Sequence, residues 1–188
     1  LIGKLNFVCR AIAPGRAFLR RLTNLTIGVK KPHYRIRITQ AAREDVRAWL
    51  EFLAQFNGTV MRSSVAWMDS STMQFYTDAA ATVGFGIYLE GSWAHAKWPS
   101  SVREKKLSIA VLEFVPIVVG ALVWGKRIVN TKVVFHSDNQ AVVHVINRQT
   151  SKCPVIMSLL RVFVVSCLIN NVCFKACYRP GCHNDIAD

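Results

Sequence analysis

From residue 73 onward, the pattern of apolar and polar residues alternates between strands and helices. Residues 75–88 hold two apolar, aromatic runs joined by small residues, which is typical of a β-hairpin. A third strand is predicted near Ser92–Trp98, and the basic loop Arg103–Lys106 leads into a helix of about Leu107–Trp124. The rest of the pattern predicts a strand, two helices and a last strand, at Lys132–Ser137, Asn139–Asn147, Val155–Asn170 and Val172–Tyr178. This order predicts a mixed α/β fold with helices packed on a sheet.

The first 58 residues have a different pattern, which predicts a mainly helical, basic segment. A helix is predicted around Ala17–Leu25, and the alternation at Tyr34–Ile38 predicts a short strand that is either a solvated edge or a nucleic-acid contact. Thr39 is a candidate N-cap for a second helix ending at Asn57–Gly58. The apolar stripe of this helix consists of Val46, Trp49, Leu50 and Leu53, and Trp49 is predicted to be a core residue.

Three segments follow from this division of the chain. Residues 59–72 are rich in Ser and Thr, and they predict a linker between a segment of residues 1–58 and a domain of residues 73–188. The chain begins with Leu1 and stops on Asp188 in what the pattern predicts to be a helix. We therefore expect it to be a piece of a longer protein.

The charge of the chain narrows the choice of partners. Its 24 Lys and Arg residues exceed its 11 Asp and Glu residues, and the net charge is +13. Such an excess predicts a polyanionic partner, which is either nucleic acid or an acidic membrane surface. The membrane alternative is weaker, because Glu113 and Pro116 interrupt one long apolar run and Arg161 interrupts the other.

The cysteines indicate a reducing environment. Six of them are scattered along a chain that is long enough to form a core without disulfides, and no signal peptide is visible. We therefore expect an intracellular protein, cytoplasmic or nuclear, with no disulfide-linked partner. A zinc site at Cys173, Cys177, Cys182 and His183 is a competing interpretation, but this spacing matches no common zinc motif.

Four carboxylates are candidates for a metal site. Asp78 ends the first strand of the hairpin, Asp138 ends an apolar strand in the same way, and Glu113 lies inside an apolar helix. Asp188 follows a turn where a new helix is predicted to start. Each acid also has an ordinary interpretation, as a turn residue, a residue at the rim of the buried face or a solvated helix residue.

Strand topology predicts where these acids meet. If the strands that end in Asp78 and Asp138 are adjacent and parallel, both carboxylates lie at one edge of the sheet. We expect Glu113 to join them in one acidic pocket, because an ionised carboxylate in an apolar helix needs a cation or hydrogen-bond donors. Carboxylate oxygens are ligands that Mg²⁺ prefers, and two such ions can promote phosphodiester cleavage.

Four short motifs in this order resemble the ribonuclease H domain of retroelement reverse transcriptases. They are Tyr76-Thr77-Asp78-Ala79, Leu112-Glu113, Ser137-Asp138-Asn139 and Pro180-Gly181-x-x-Asn184-x-x-Ala187-Asp188. More narrowly, two stretches resemble DIRS-type tyrosine-recombinase retrotransposons: Glu113-Phe114-Val115-Pro116-Ile117 with Trp124-Gly125, and His136-Ser137-Asp138-Asn139-Gln140-Ala141-Val142-Val143. The segments Leu1–Phe7, Pro14-Gly15-Arg16 and Trp49–Gly58 are similar to the polymerase thumb and connection that precede this domain.

The resemblance implies a fold, an activity and a set of site residues. It implies a ribonuclease H-like fold with a mixed five-stranded sheet, cleaving the RNA strand of RNA–DNA hybrids beside the polymerase domain of the same polyprotein. It further implies two Mg²⁺ ions, with Mn²⁺ as an alternative, held by four acids: Asp78, Glu113, Asp138 and Asp188. The implied nucleic-acid-binding residues are Asn139, Gln140, Arg148, Arg179 and Asn184.

One departure from the family keeps a second function open. The family has a His two residues before the Pro of its last motif, where this chain has Tyr178. Because that His helps to release product, turnover is in question while metal binding is not. The alternative is an inactive ribonuclease H-like module that binds nucleic acid or docks on the polymerase.

Overall fold

The chain divides into two compact units, Leu1–Val65 and Ala66–Asp188. The structure is a computed structural model, and it describes residues 1–31, 33–54, 73–105 and 107–181. The predicted linker, as well as Asn184 and Asp188, therefore lies outside the described residues. In the described part of the chain, no helix combines the length and the apolar character needed to span a membrane.

The N-terminal unit is helical, as the sequence predicts. Its elements are α1, a 3₁₀ segment, α2 and α3, at Ile2–Val8, Ala13–Phe18, Arg20–Asn24 and Gln40–Ala54. The single helix predicted around Ala17–Leu25 is thus divided at Leu19, because the turn that Pro14 starts is a 3₁₀ segment. A Cβ at Gly15 would overlap the ring of Trp49, so the glycine makes room for this side chain. Trp49 is 2% exposed, and its predicted core position is confirmed.

The buried face of α3 differs from the predicted stripe. The Thr39 cap is confirmed, since its hydroxyl accepts a hydrogen bond from the Ala42 N–H at 3.2 Å. However, Leu50 is 61% exposed and Leu53 is exposed as well, so the prediction for these two residues is wrong. The face that is buried instead contains Asp45, whose carboxylate accepts a hydrogen bond from Arg21 Nη1 at 3.3 Å. An ion pair supplied by another helix therefore outweighs the apolar pattern within α3.

The strand predicted at Tyr34–Ile38 is also wrong. The structure gives residues 34–38 neither helix nor strand, and all of these residues are exposed. The one sheet among the described residues consists of strands from the C-terminal unit, so this segment has no ladder to join. An alternating pattern forms a strand only where backbone partners are within reach.

The C-terminal unit contains a mixed five-stranded sheet flanked by helices, as predicted. Its strands β1 to β5 are Met73–Ala79, Gly84–Leu89, Ser92–Lys97, Lys132–Ser137 and Cys173–Tyr178. Its helices α4 to α7 are Ser100–Arg103, Ile109–Val123, Gln140–Arg148 and Pro154–Ile169. The strand order is β3-β2-β1-β4-β5, in which β2 is antiparallel to both β1 and β3. Strand β4 runs parallel to both β1 and β5. Two short elements in the described part of this unit were not predicted, namely α4 and a 3₁₀ segment at Gly125–Arg127.

One face of the sheet carries the core. Alternation along β1 places Phe75 on the face that α5 covers, and its ring lies 5.0 Å from that of Phe135. Phe135 in turn contacts Phe163 of α7 at 5.2 Å between ring centroids. Because these aromatic pairs bury large apolar surfaces, they fix the two helices against the sheet. The opposite face of β1 presents Tyr76 and Asp78.

Candidate active site

Three carboxylates converge at the end of the sheet where β1 and β4 finish. One oxygen each of Asp78, Glu113 and Asp138 lies within 4.8 Å of the others. Tyr76 pairs with His136 across the parallel ladder of β1 and β4, so two residues further along the chain Asp78 and Asp138 stand side by side. The predicted convergence of these three acids in one pocket is therefore confirmed.

Close packing of α5 on β1 brings Glu113 to this point. A Cβ at Gly120 would overlap the ring of Phe75, so the helix lies unusually close to the strand there. Glu113 is two turns before Gly120, or about 10.5 Å along the helix. Asp78 is three residues beyond Phe75, or about 10 Å along the strand. The carboxylates of Glu113 and Asp78 are thus about equally far from the contact between Gly120 and Phe75, which agrees with their short separation.

The burial of the three acids matches the chemistry of a cation site. Glu113 is 4% exposed, whereas Asp78 and Asp138 are half-buried and open to solvent. Carboxylates this close repel one another, and a bound cation offsets this repulsion. An arrangement of one buried and two accessible carboxylates leaves the open side of the cluster to a substrate.

Comparison with solved structures finds ribonuclease H domains. The N-terminal RNase H domain of a Mycobacterium tuberculosis protein, solved as a fusion with maltose binding protein, has a TM-score of 0.51 and 14% identity. The aligned region covers 63% of this chain and 88% of the Mycobacterium tuberculosis chain. LC11-RNase H1, in complex with an RNA/DNA hybrid, has a TM-score of 0.50 and 12% identity, covering 62% of this chain and 90% of that chain. This chain has a ribonuclease H-like fold.

A viral reverse transcriptase is a weaker structural match. The foamy viral protease-reverse transcriptase in complex with an RNA/DNA hybrid covers 85% of this chain and 27% of that chain, at 11% identity. The TM-score of this match is 0.43. No protein-family model matches the sequence, and no curated protein matches it either.

Trp98 supports the acidic cluster through a hydrogen bond and apolar packing, and this role was not predicted from the sequence. Its indole Nε1 donates to the Ala80 carbonyl at 2.7 Å, and its backbone N–H donates to the Val83 carbonyl at 3.0 Å. Trp98 also packs in a small apolar cluster with Ala79 and Leu112, which are the neighbours of Asp78 and Glu113. In the sequence, the available signal was a large aromatic residue at the end of the predicted strand Ser92–Trp98.

We expect Trp98→Phe to loosen the turn that follows Asp78. The variant retains most of the apolar contact but loses the indole hydrogen bond, which leaves the Ala80 carbonyl without that donor. The expected loss is about 1–3 kcal/mol in the free energy of unfolding, measured by urea denaturation. Trp93→Phe is the matched control, because Trp93 is exposed and should change stability little. Equal stability of the two variants would contradict a supporting role for Trp98.

The predicted nucleic-acid-binding residues lie in different surroundings. Asn139 caps α6, since its Oδ1 accepts hydrogen bonds from the Ala141 and Val142 N–H groups at 3.0 and 3.3 Å. Gln140, the first residue of α6, is exposed, as is Arg148 in the last turn of this helix. The guanidinium of Arg179 lies over the ring of Tyr76, 5.1 Å from its centroid. Contacts of these side chains with nucleic acid stay a prediction.

The end of β5 borders the acidic cluster. Tyr178 pairs with Ser137, the residue before Asp138, and its side chain is half exposed. A Cβ at Gly181 would lie 3.5 Å from Asp138 Oδ2, so the turn after β5 runs beside this carboxylate. Tyr178 therefore lies at the end of the strand next to the one that Asp138 follows.

The cysteines do not form a site in the described part of the chain. Cys173 and Cys177 are four residues apart on β5, which separates their backbones by about 13 Å. Two sulfurs that share one zinc ion each lie about 2.3 Å from it, so the zinc interpretation is wrong for this pair. Burial raises the pKa of the Cys167 thiol far above its ordinary value, which keeps this group protonated and unreactive.

Proposed function

We propose that this chain is a metal-dependent endonuclease that cleaves the RNA strand of RNA–DNA hybrids. The observation that supports the proposal best is the convergence of Asp78, Glu113 and Asp138 in a ribonuclease H-like fold. A protein that only bound nucleic acid would gain nothing from three carboxylates at one point, since they repel phosphate. We further propose that it is part of a retroelement reverse transcriptase of the DIRS type, as its motifs suggest.

The donor set fits divalent cations. Three carboxylates within 4.8 Å of one another offer hard oxygen ligands and leave room for water and substrate oxygens. We propose that Asp78, Glu113 and Asp138 hold two Mg²⁺ ions, or Mn²⁺, together with Asp188. When bound, the ions supply an activated water and stabilise the leaving oxygen of the phosphodiester.

The protein's own contribution is to hold these carboxylates in place. Glu113 is buried, and the contact between Gly120 and Phe75 fixes its helix, so that this carboxylate keeps its position. Asp78 and Asp138 are on neighbouring strands of one ladder, which fixes their spacing. Such preorganisation avoids reorganisation of the site at the moment of reaction.

Recognition of the hybrid follows from the residues around Asp138. We propose that exposed Gln140 contacts the RNA strand, where a 2′-hydroxyl is accessible in the minor groove. Asn139 would add its amide N–H₂, because its Oδ1 caps α6. Arg148, Arg179 and Asn184 would contact phosphates, and the neighbour LC11-RNase H1 was solved with a hybrid of this kind. The proposal also includes a polymerase domain in the same polyprotein and an intracellular location. It places the domain boundaries at residues 58 and 73.

A second candidate function is an inactive binding module, which Tyr178 favours. To separate the two, we expect the 188-residue chain to cleave a labelled RNA–DNA hybrid in Mg²⁺ but not in EDTA. Tyr178→His should then raise steady-state turnover severalfold with little change in hybrid affinity, because the family's His helps to release product. If cleavage is absent in the chain and also in Tyr178→His, the binding module is correct. If only Tyr178→His cleaves, the chain is a decayed nuclease.

A further inference from the structure

Edge strand β3 presents three exposed side chains in one line beside the acidic cluster. Alternation along the strand places Trp93, His95 and Lys97 on the same face, and we call these three residues the β3 strip. Trp93 is 70% exposed, and its ring is stacked on that of His95 at 5.8 Å with an interplanar angle of 11°. The strip thus consists of one aromatic platform, one imidazole and one ammonium group.

The strand register connects the strip to the proposed active site. Asp78 pairs with Gly86, and Gly86 pairs with His95, so the three residues form one row across β1, β2 and β3. Two strand spacings separate Asp78 from His95, or about 9.6 Å. Because Gly86 has no side chain, the row contains an open groove, which has a volume of about 260 Å³ and is lined by Asp78, Gly84, Gly86, His95 and Lys97.

Protection of a sheet edge explains only part of this surface. A lysine on an edge strand prevents pairing with other chains, so Lys97 alone needs no further role. An exposed tryptophan has the opposite effect, because it adds apolar surface to the edge. Stacking on His95 presents the Trp93 ring in an ordered position beside a groove with basic residues. This combination is typical of surfaces that bind single nucleic-acid strands.

We propose that the β3 strip binds the substrate strand about one to two nucleotides away from the phosphate that is cleaved. This inference rests on the proposed function of the acidic cluster. Side chains two residues apart on a strand are separated by about 6.7 Å, which is close to the spacing of successive phosphates along one nucleic-acid strand. Lys97 and His95 contact backbone phosphates along the groove, and Trp93 packs on a sugar of the same strand. The distance from Asp78 to His95 therefore corresponds to about one to two nucleotides.

The test measures hybrid binding without catalysis. Fluorescence anisotropy with a labelled RNA–DNA hybrid in EDTA compares the chain with Trp93→Ala and Lys97→Gln. Loss of the aromatic contact with the strand should weaken binding about fivefold in Trp93→Ala. Lys97→Gln should reduce the slope of log K against log salt by about 1. The matched controls are Leu122→Ala and Lys126→Gln. The exposed side chain of Leu122 lies at the end of α5, the helix on the opposite face of the sheet, and exposed Lys126 lies in the 3₁₀ segment that follows α5.

A second measurement locates the contact along the substrate. Hybrids in which a single phosphate is replaced by an uncharged methylphosphonate should bind less tightly when the change is about one to three nucleotides from the cleaved position. In Lys97→Gln this local loss should disappear, because its charged partner is already absent. The same scan in Lys126→Gln should match that of the unaltered chain.

The outcomes separate this inference from the proposed function. If both β3 variants bind the hybrid as the controls do, while the chain cleaves it, the strip is not a binding surface and the proposed function remains. If the variants weaken binding but the chain cleaves no faster than Asp138→Asn, the strip is supported and the proposed nuclease activity is wrong. Thermal unfolding followed by circular dichroism checks that each variant is folded.

Discussion

Replacing Asp138 with Asn is expected to abolish Mg²⁺-dependent cleavage while hybrid binding in EDTA persists. The amide has nearly the same shape as the carboxylate, but it carries no charge to attract a divalent cation. Residues that only orient a metal ligand change activity by about 10–100-fold when they are replaced, so removal of a ligand should reduce the cleavage rate at least about 100-fold. Hybrid affinity without metal should stay equal or rise slightly, because one fewer negative charge faces the phosphates.

The measurement is single-turnover cleavage of one labelled hybrid over a series of Mg²⁺ concentrations. Glu104→Gln is the matched control, because it also removes one negative charge but from an exposed residue in the turn after α4. Binding of Mn²⁺, followed by electron paramagnetic resonance, gives a readout that does not depend on turnover and should weaken only in Asp138→Asn. Equal cleavage by the two variants would show that Asp138 holds no catalytic metal.

Much of this site could be predicted from the sequence, because strand ends are local features. The aromatic and β-branched runs before Asp78 and Asp138 indicate strands, and parallel neighbours must end at the same edge of the sheet. The position of Glu113 followed from the cost of an isolated carboxylate in an apolar helix. Each of these arguments uses only a few adjacent residues and a general rule of packing.

The sequence failed where a distant partner decides the outcome. Asp45 is buried because Arg21 reaches it from another helix, whereas Leu50 is exposed although its apolar character predicted burial. Tyr34–Ile38 alternates correctly but meets no partner strand in the described sheet. The supporting role of Trp98 depends on a carbonyl 18 residues away. Long-range hydrogen bonds of this kind leave no periodic pattern of residues in the sequence from which they could be predicted.

The roles of the glycines also depend on distant residues that the sequence does not reveal. Gly84 and Gly86 lie two residues apart on one face of β2, and the structure assigns the two residues different roles. A Cβ at Gly84 would overlap the Ala96 carbonyl, so this glycine permits close backbone approach within the sheet. Gly86 instead opens the groove between Asp78 and His95. The role of Gly120 beneath Phe75 was not predicted, because a glycine within a helix gives no sign of what it contacts.

Gly120→Ala is therefore expected to destabilise the C-terminal unit, although alanine is the better helix former. The added methyl group overlaps the ring of Phe75, which is enclosed by Trp124 and Phe135 and has little space to move. Overpacking of a core typically reduces stability by about 1–3 kcal/mol, and the gain in helix propensity offsets up to about 1 kcal/mol of this. We expect a net loss of about 1–2 kcal/mol in the free energy of unfolding.

Gly3→Ala is the matched control, because Gly3 is also helical but has no atom within 4 Å of the position of a Cβ. This substitution should leave stability unchanged or raise it slightly. Phe75→Leu supplies the rescue: alone it leaves a cavity, but combined with Gly120→Ala it makes room for the methyl group. The double variant should therefore lose less stability than the sum of the two single losses, by about 0.5–3 kcal/mol.

The same set of variants tests how the core positions the site. Because Glu113 lies two turns from Gly120, displacement of α5 should also move its carboxylate away from Asp78 and lower the cleavage rate. Cleavage should then recover in the double variant in parallel with stability, since both depend on the distance between helix and strand. Urea denaturation and single-turnover cleavage measure the two quantities. Additive stability losses, or cleavage that stays low while stability recovers, would contradict control of Glu113 by the contact between Gly120 and Phe75.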